Sequence, residues 1–491
     1  MGHKKLSELG LRATAGDDVS VSGLAVDSRL VKEGMLFAAL PGTAVHGGAF
    51  IQYALRMGAS AVLTDAEGAK LAESELAASD AALIVSENPR QVLAYTAALW
   101  FGAQPETMIA VTGTNGKTSV SSFARMIWQE LGLRAVNLGT TGVEGDWSAP
   151  LAHTTPEPIT LHRTLAAASE AGITHAAMEA SSHGLSQYRL DGVQLAAAGF
   201  TNFTQDHLDY HATFEEYFDA KAALFGRVLG DDGVAVINID DPRGPDMAAI
   251  AQKREIEVIS VGRMEGADIQ LTAQRFHGMG QEVFFKHNSR GYRADLKLMG
   301  GFQAENVLLA AGLVIAAGED PQAVFETLDH METVRGRMQL AATRDNGASV
   351  FVDYSHTPDA IATALKAMRP HVPGRIIAII GAGGDRDTSK RPLMGAAAAA
   401  HADVVIVTDD NPRSETPADI RAAVLQGCPE AYEVGDRAEA ILRGVDLLQA
   451  GDALLIAGKG HETGQTIGDT VLPFDDVEQA SVAVAALEGR I

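Results

Sequence analysis

The sequence predicts an α/β protein of three domains with mostly parallel sheets, on the strength of three observations. Its 491 residues exceed what one ordinary domain holds. Short apolar runs alternate with helical segments along most of the chain, which is typical of βαβ units. One of these units carries a glycine-rich turn between its strand and its helix. We therefore divide the chain into residues 1–88, 89–333 and 334–491.

The first region predicts a small α/β domain. Apolar runs over 35–40, 61–65 and 81–86 indicate strands, and the apolar spacing over 49–59 indicates a helix between the first two. The polar stretch 87–91 is the predicted boundary with the second region.

The second and third regions each predict a doubly wound sheet. A strand over 108–113 leads through the glycine-rich turn into a helix over 117–131, which Gly132 ends. Further buried strands are predicted within 174–184, 195–203 and 233–241, and an antiparallel insert within 268–299. The third region holds four apolar runs separated by helical segments. Ligands of open α/β sheets bind where such strands end.

Composition and charge exclude several classes of protein. A net charge of −24 supplies no broad positive field for a nucleic acid or an anionic membrane. The single cysteine, Cys428, excludes an internal disulfide framework. The N-terminal stretch lacks the apolar core of a signal peptide, and no uncharged apolar run approaches the length of a membrane span. We expect a soluble, cytoplasmic protein without membrane insertion.

The stretch "VTGTNGKTS", Val111 to Ser119, predicts a phosphate-binding loop although valine replaces its first glycine. Backbone N–H groups and the start of the helix would face the phosphates of ATP. Lys117 would neutralise phosphate charge, and the Thr118 hydroxyl would bind Mg²⁺. The alternative is a tight turn with an ordinary lysine. The predicted ATP-binding residues here are Gly113, Thr114, Asn115, Gly116, Lys117, Thr118 and Ser119.

Short motifs occur in a fixed order along essentially the whole chain. They include "DSR" (27–29), "GTNGKT" (113–118), "HTTP" (153–156), "EASSHGL" (179–185), "TNFTQDHLDYH" (201–211), "VRGRMQ" (334–339), "DYSHTPD" (353–359), "DNPR" (410–413) and "GKGHE" (458–462). Together they resemble the motifs of the Mur ligase family, whose ATP-dependent members build the stem peptide of peptidoglycan. The resemblance implies a UDP-substrate domain, a central P-loop-type ATPase domain and a C-terminal Rossmann-like domain that binds the incoming amino acid.

The resemblance assigns the catalytic and metal-binding residues. A carboxylate does not react with an amine at neutral pH, so ATP converts it to an acyl phosphate, and the repulsion of two anions must be offset by cations. Lys117, Glu179, His207 and Lys221 are implied as catalytic, and Thr118, Glu179, His207 and Lys221 as ligands of Mg²⁺. In the family the matching lysine is carbamylated by CO₂, which turns a cation into an anionic ligand. Asn306, Arg337 and Asp353 are implied to complete the ATP site.

The resemblance also implies a site for a UDP-linked substrate. Its residues are Ser28, Thr154, Thr155, Ser182, Gln187 and Arg189, together with the loop over 41–50. The family loop usually has Asp-Gly where this chain has His46-Gly47, so no role is assigned to His46.

The stretch "DNPR" accompanies use of meso-diaminopimelate in the family. A guanidinium can grip the distal carboxylate of that amino acid through two parallel hydrogen bonds, and L-lysine lacks this carboxylate. Arg413 is the candidate, and Glu462 would pair with the distal ammonium. The predicted amino-acid site comprises Arg386, Asp410, Asn411, Pro412, Arg413, Gly458 and Glu462.

Three alternatives stay open at this point. The nearest is the same ligase with L-lysine as its amino acid. More remote are a ligase like folylpolyglutamate synthetase, which lacks a UDP-sugar domain, and a non-catalytic regulatory NTPase that only binds nucleotide. We reject a dinucleotide site in "GAGGDR", because Arg386 stands where the last glycine is needed. The expected partners are UDP-N-acetylmuramoyl dipeptide, meso-diaminopimelate and ATP, and we expect a monomer.

Overall fold

A computed structural model describes residues 2–42, 45–204 and 210–490. Three separate sheets with helices between their strands account for most of these residues, so the predicted fold class is confirmed. None of the described helices is long and apolar enough to cross a membrane.

The first domain is built on a parallel sheet with the strand order β3-β4-β5-β6. The predicted helix over 49–59 is divided into a 3-10 turn, Gly47–Phe50, and a short α-helix. Its strands and helices are β1 (Lys4–Lys5), β2 (Ser20–Val21), β3 (Leu24–Ala25), β4 (Leu36–Ala38), α1 (Ile51–Arg56), β5 (Ala61–Thr64), α2 (Ala66–Leu71), α3 (Glu73–Ala77) and β6 (Ala82–Val85).

Helix α4 (Pro89–Phe101) leads out of this domain. Asn88 caps it by accepting a hydrogen bond from Gln91 N at 3.2 Å. Pro89 suits the first turn because proline has no backbone N–H, and N–H groups in the first turn have no acceptor within the helix. Gly102, with φ of 71°, ends it.

The central domain holds a ten-stranded sheet, counted over the described residues, in the order β16-β15-β14-β13-β12-β11-β7-β10-β8-β9. Strands β8, β10, β7, β11, β12 and β13 run parallel, and the predicted antiparallel insert forms β14 to β16. The strands are β7 (Thr107–Thr112), β8 (Ala135–Gly139), β9 (Gly142–Gly145), β10 (His175–Glu179), β11 (Ala197–Phe200), β12 (Val234–Asn238), β13 (Glu257–Gly262), β14 (Ile269–His277), β15 (Gly280–His287) and β16 (Arg290–Leu296).

Helices cover both faces of this sheet. Val120, Phe123, Ala124 and Ile127 on α5 are fully buried, at the spacing of one helix face. The helices are α5 (Lys117–Glu130), α6 (Pro158–Glu170), α7 (Ser182–Ser186), α8 (Phe214–Ala223), α9 (Gly244–Gln252), α10 (Phe302–Ala316) and α11 (Pro321–Glu326). A turn of π-helix, Leu224–Val228, continues α8. Since β7 lies between β10 and β11, the glycine-rich turn after β7 opens at the point where the strand order reverses.

The third domain has the sheet order β17-β18-β22-β19-β20-β21, in which only the edge strand β17 is antiparallel to its neighbour. The four predicted apolar runs become β18, β19, β20 and β22, as expected. The hairpin β23–β24 was not predicted. The elements are β17 (Gln339–Thr343), β18 (Ser349–Asp353), α12 (Pro358–Met368), β19 (Ile376–Ile380), α13 (Lys390–His401), β20 (Val404–Val407), α14 (Pro417–Leu425), β21 (Tyr432–Glu433), α15 (Arg437–Asp446), β22 (Ala453–Ala457), β23 (Gly464–Ile467), β24 (Thr470–Pro473) and α16 (Asp476–Leu487).

Candidate active site

The glycine-rich turn joins β7 to α5 in the predicted order. Val111, which replaces the first glycine of the pattern, lies inside β7 with a fully buried side chain, so position 111 belongs to the strand. The turn begins at Gly113, where a Cβ atom would lie 1.8 Å from Thr201 Oγ1. Gly116 has φ of 87° and stands beside the Asn306 side chain. A side chain at either glycine would therefore disrupt the turn.

Lys117 and Thr118 open α5 and face the turn. Lys117 Nζ donates to Gly113 O at 2.9 Å and to Thr114 O at 2.8 Å, so its ammonium lies over the turn. Thr118 Oγ1 donates to Glu179 Oε1 at 3.0 Å. An ammonium and a helix N-terminus converging on one turn form a site suited to phosphate.

Glu179 ends β10 with a side chain that is almost fully buried. Besides the bond from Thr118, its Oε1 accepts from Thr140 N at 2.8 Å, and its Oε2 accepts from Thr140 Oγ1 at 3.2 Å. Sequence reasoning missed Thr140. The available signal was its position directly after a buried strand, β8, at the same edge of the sheet as Glu179.

Lys221 lies on α8, far along the chain from the turn, yet its Nζ donates to Gly113 O at 2.7 Å. Its side chain is about 1% exposed, and Nζ is 4.5 Å from the centroid of the Tyr217 ring. An ordinary solvated lysine would not occupy this position. The structure thus brings Lys221 to the phosphate-binding turn, whereas the predicted ligand His207 lies outside the described residues.

The oxygen ligands predicted for Mg²⁺ fit that ion in chemical type. The hydroxyl of Thr118 and the carboxylate of Glu179 are in direct contact, and oxygen donors are what Mg²⁺ prefers. Over the part of the chain that the structure describes, no group of three or more His, Cys, Asp or Glu side chains forms a metal site.

Arg337 connects the third domain to the central one. Its Nη2 donates to Thr118 Oγ1 at 3.0 Å, and its guanidinium lies 4.6 Å from the centroid of the Tyr354 ring. Asp353 fixes the backbone next to Arg337, because its Oδ2 accepts a hydrogen bond from Met338 N at 2.7 Å. Burial raises the pKa of Asp353, while Ser355 and the Arg337 charge act in the opposite direction.

Asn306, the remaining residue predicted for the ATP site, is buried, and its Nδ2 donates to Gln303 Oε1 at 3.2 Å.

Next to Glu179 lie most of the residues predicted for the UDP-linked substrate. Thr155 Oγ1 donates to Glu179 O at 2.9 Å, and Thr154 Oγ1 is 3.1 Å from Thr140 Oγ1. The Arg189 guanidinium donates to Thr155 O at 2.6 Å and to Gln187 Oε1 at 2.8 Å.

Two further observations suit an anionic substrate here. The buried Ser182 hydroxyl has no hydrogen-bond partner within the described ranges, so its hydrogen-bonding capacity is unused. Burial lowers the pKa of the Arg189 guanidinium, and the neighbouring charge of Arg90 lowers it further. An anion between two partly buried guanidinium groups would relieve their repulsion. Sequence reasoning missed Arg90, which lies in the first turn of α4.

Ser28 stands apart, in the first domain, in the 3-10 turn Ser28–Leu30. In the nearby loop, His46 has a structural role: its Nδ1 accepts from Gly48 N at 2.9 Å, and its Nε2 is 3.1 Å from Asp65 Oδ1. Residues 43 and 44 of the predicted loop lie outside the described residues.

A cavity of about 600 Å³ gathers most of the predicted amino-acid site at the carboxyl ends of β18, β19, β20 and β22. Its wall includes Arg386, Asp410, Asn411, Arg413, Gly458 and Glu462. Pro412 does not line it; its carbonyl accepts from Glu415 N at 3.1 Å. His183 of the central domain also lines the cavity, next to Ser182, so the cavity reaches the residues predicted for the UDP-linked substrate.

The backbone of Arg413 is held in an uncommon conformation. Its φ is 51°, and its N–H donates to Thr466 O at 3.1 Å while its carbonyl accepts from Gly468 N at 2.7 Å. Its Nη1 donates to Gly384 O at 2.8 Å. The hairpin β23–β24 thus fixes the direction of this side chain, and the exposed Arg386 adds a second cation.

The arrangement as a whole matches known proteins along its full length. Family models described as "Mur ligase family, catalytic domain", "Mur ligase middle domain" and "Mur ligase, glutamate ligase domain" match residues 20–100, 111–314 and 336–460. The UDP-N-acetylmuramoyl-L-alanyl-D-glutamate–2,6-diaminopimelate ligase of Bradyrhizobium diazoefficiens is 47% identical over 95% of this chain and 96% of its own length. The ligase of the same name from Caulobacter vibrioides is 46% identical over 99% of both chains.

A solved structure of a UDP-N-acetylmuramoyl-L-alanyl-D-glutamate–2,6-diaminopimelate ligase superposes with a TM-score of 0.72. It shares 34% sequence identity and covers 99% of this chain and 100% of the other.

Proposed function

This chain belongs to the Mur ligase family, and we propose that it joins meso-2,6-diaminopimelate to the D-glutamyl γ-carboxylate of UDP-N-acetylmuramoyl-L-alanyl-D-glutamate with hydrolysis of ATP. Members of the family are ATP-dependent enzymes that use Mg²⁺. One observation supports meso-diaminopimelate as the amino acid: Arg413 and Glu462 line the same cavity and can pair with the carboxylate and the ammonium at its far end. The cavity also reaches His183 of the central domain.

In the first step the substrate carboxylate attacks the γ-phosphorus of ATP. An O–P bond forms, the bond to ADP breaks, and an acyl phosphate results. Lys117, Arg337 and the N-terminus of α5 would stabilise the phosphate charge, because Lys117 lies over the turn and Arg337 contacts Thr118 in the first turn of α5. Thr118 and Glu179 would hold Mg²⁺, which would supply further charge neutralisation.

In the second step the amine of the incoming amino acid attacks the acyl carbon. A C–N bond forms, phosphate leaves with the C–O bond electrons, and the amine loses a proton. The cavity holds the amino acid so that its reacting end points to the central domain, since the distal-end ligands Arg413 and Glu462 belong to the third domain.

Lys221 is proposed to act as a carbamate. Its neutral amine would attack CO₂, forming an N–C bond and releasing one proton, and the resulting carboxylate would serve as a ligand of Mg²⁺ beside Gly113. The position of Lys221 supports this, because its buried Nζ lies 2.7 Å from Gly113 O at the glycine-rich turn, where a carbamate oxygen would reach the proposed metal site. His207 is proposed as another ligand on the family resemblance alone.

The domain bounds 1–88, 89–333 and 334–491 form part of the proposal, and the three separate sheets support them. The site residues named for ATP and for the UDP-linked substrate are proposed with the same roles as in the family. We also propose that the enzyme acts in the cytoplasm, as a monomer.

The test is a phosphate-release assay with the purified full chain, ATP, Mg²⁺ and the UDP-linked dipeptide. We expect release to require both the dipeptide and an amino acid, and kcat/KM to be at least about 100-fold higher for meso-diaminopimelate than for L-lysine. A preference for L-lysine would identify the nearest alternative. Phosphate release at a rate independent of both the dipeptide and the amino acid would favour a regulatory NTPase instead.

A further inference from the structure

Lys459 follows β22 and lies between two residues of the amino-acid site, Gly458 and Glu462, but has no assigned role. Its side chain is fully buried. The flanking Gly458 and Gly460 have φ of 115° and 55°, backbone conformations that other residues rarely adopt. These two glycines allow the chain to turn sharply and send the lysine inward, beneath the wall of the cavity.

The ammonium of Lys459 closes a triangle of hydrogen bonds with two cavity residues. Its Nζ donates to Glu462 Oε2 at 3.0 Å and to Asn411 Oδ1 at 3.1 Å. Asn411 Nδ2 donates to the same Glu462 Oε2 at 2.9 Å. The second acceptor position of Asn411 Oδ1 is taken by Thr466 N at 2.9 Å. The triangle is therefore connected to the hairpin that also holds Arg413.

This triangle determines which atom of Glu462 a ligand meets. Both donors bind Oε2, whereas Oε1 has no hydrogen-bond partner within the described ranges. Glu462 is partly exposed and lines the cavity. The carboxylate is consequently fixed with one oxygen committed to the protein and the other available to the cavity.

Charged groups of both signs line the cavity. The cations are Arg386, Lys390 and Arg413, and the carboxylates are Asp359, Asp387, Asp410 and Glu462. The charge of Glu462 is shared with the buried ammonium of Lys459, 3.0 Å away. A ligand end that carries only an ammonium would leave Arg413 without an anion, whereas an end with both an ammonium and a carboxylate can satisfy Glu462 and Arg413 together.

We propose that Lys459 is a positioning residue that directs Glu462 Oε1 into the amino-acid cavity, and that this fixed orientation makes the site select amino acids whose far end carries both an ammonium and a carboxylate. The inference rests on the proposed function, since it concerns the same cavity. It assigns part of the discrimination against L-lysine to a residue that touches neither amino acid.

Lys459→Met tests the proposal in the phosphate-release assay. We expect KM for meso-diaminopimelate to rise by about tenfold or more, which corresponds to about 1.4 kcal/mol, while KM for ATP changes by less than about twofold. The preference for meso-diaminopimelate over L-lysine, as a ratio of kcat/KM values, should fall by about tenfold. Unchanged constants, or equal increases in KM for ATP and for the amino acid, would overturn the proposal.

Arg375→Met is the matched control. Arg375 forms an ion pair with Asp452 at 2.7 Å, just before the opposite end of β22, and does not line the cavity. The Arg375→Met variant should have a lower melting temperature but unchanged KM values for ATP and meso-diaminopimelate, and an unchanged preference for meso-diaminopimelate over L-lysine. If it lowers the preference as much as Lys459→Met does, the effect reflects stability and the proposal fails.

A double-variant cycle covers the case in which Lys459→Met folds poorly. Glu462→Gln combined with Lys459→Met leaves no unpaired charge in the triangle. If Lys459 acts through Glu462, the double variant should have a KM for meso-diaminopimelate within about twofold of that of Glu462→Gln alone. Fully additive effects would refute the positioning role. Failure of the proposed function itself would appear separately, as native enzyme that does not respond to meso-diaminopimelate.

Discussion

Arg337 Nη2 of the third domain donates a hydrogen bond of 3.0 Å to Thr118 Oγ1 of the central domain. The donor and the acceptor are 219 residues apart in the sequence. Because Thr118 also donates to Glu179, a movement of the third domain is linked directly to the phosphate-binding turn. Closure of that domain would complete the cationic surroundings of the phosphates.

Replacing Arg337 with alanine should lower kcat by about 100-fold or more, because the developing phosphate charge loses a positioned cation. Stopped-flow phosphate release measures this. The matched control is Arg335→Ala, two residues away, where the side chain is half exposed and pairs with Asp475 at 3.3 Å. Equal losses in the two variants would contradict a specific role for Arg337.

Glu179→Gln should lower kcat and raise the Mg²⁺ concentration needed for half-maximal activity by about tenfold or more, since a neutral amide is a weaker ligand. The measurement is a Mg²⁺ titration of the steady-state rate. Glu170→Gln, at the exposed end of α6, is the control and should titrate like the native chain. A Glu179 variant with native Mg²⁺ dependence would exclude this carboxylate as a ligand.

Lys221→Ala should abolish turnover while the chain stays folded, and added short-chain carboxylates should restore part of the activity by supplying the missing anion. Intact-protein mass spectrometry should show one CO₂ added to the native chain and none to the variant. Lys253→Ala, at an exposed position directly after α9, serves as the control. No rescue, together with loss of the folded state, would make Lys221 structural.

Arg413→Ala should raise KM for meso-diaminopimelate by about 10- to 100-fold, because the distal carboxylate would be desolvated without a partner, and should leave KM for ATP nearly unchanged. Both constants come from the same phosphate-release assay. Arg369→Ala removes an arginine of this domain that pairs with Asp403 away from the cavity and should change neither constant. Comparable increases in both KM values would refute the assignment of Arg413.

The buried His162 should make the fold sensitive to mild acid. Burial lowers its pKa to about 4, and its Nε2 has no hydrogen-bond partner within the described ranges. The unfolded chain therefore takes up the proton first, so this contribution to stability is fully present above about pH 6.5 and is lost as the pH falls towards 4. The loss attributable to His162 is on the order of 3 kcal/mol.

Denaturant unfolding of native and His162→Leu chains between those pH values measures the effect. The variant should show a shallower decrease in the free energy of unfolding. His330→Gln, which replaces an exposed imidazole near Glu130, should retain the native slope. Parallel slopes for His162→Leu and the native chain would show that His162 is not the titrating group.

Local patterns allowed much of the fold to be predicted. The strands of the two doubly wound sheets are continuous apolar runs, and α5 carries apolar residues at helical spacing, so both are encoded in neighbouring residues. The glycine-rich turn was also predicted, because it directly follows a buried strand. Six of the seven residues predicted for the amino-acid site line the cavity, and that prediction came from the resemblance to a known family. The hairpin β23–β24 was missed, since its strands are short and largely exposed.

The sequence by itself determined the α/β class and the glycine-rich turn after β7, because each depends on spacing over a few residues. Only the tertiary structure decided that Lys221 reaches Gly113 across 108 positions of the chain and that Thr140 binds Glu179. It also placed Lys459 beneath the cavity. The physical reason is that burial and hydrogen bonds between distant segments arise only when the sheets pack, and no local pattern specifies which distant partners will meet.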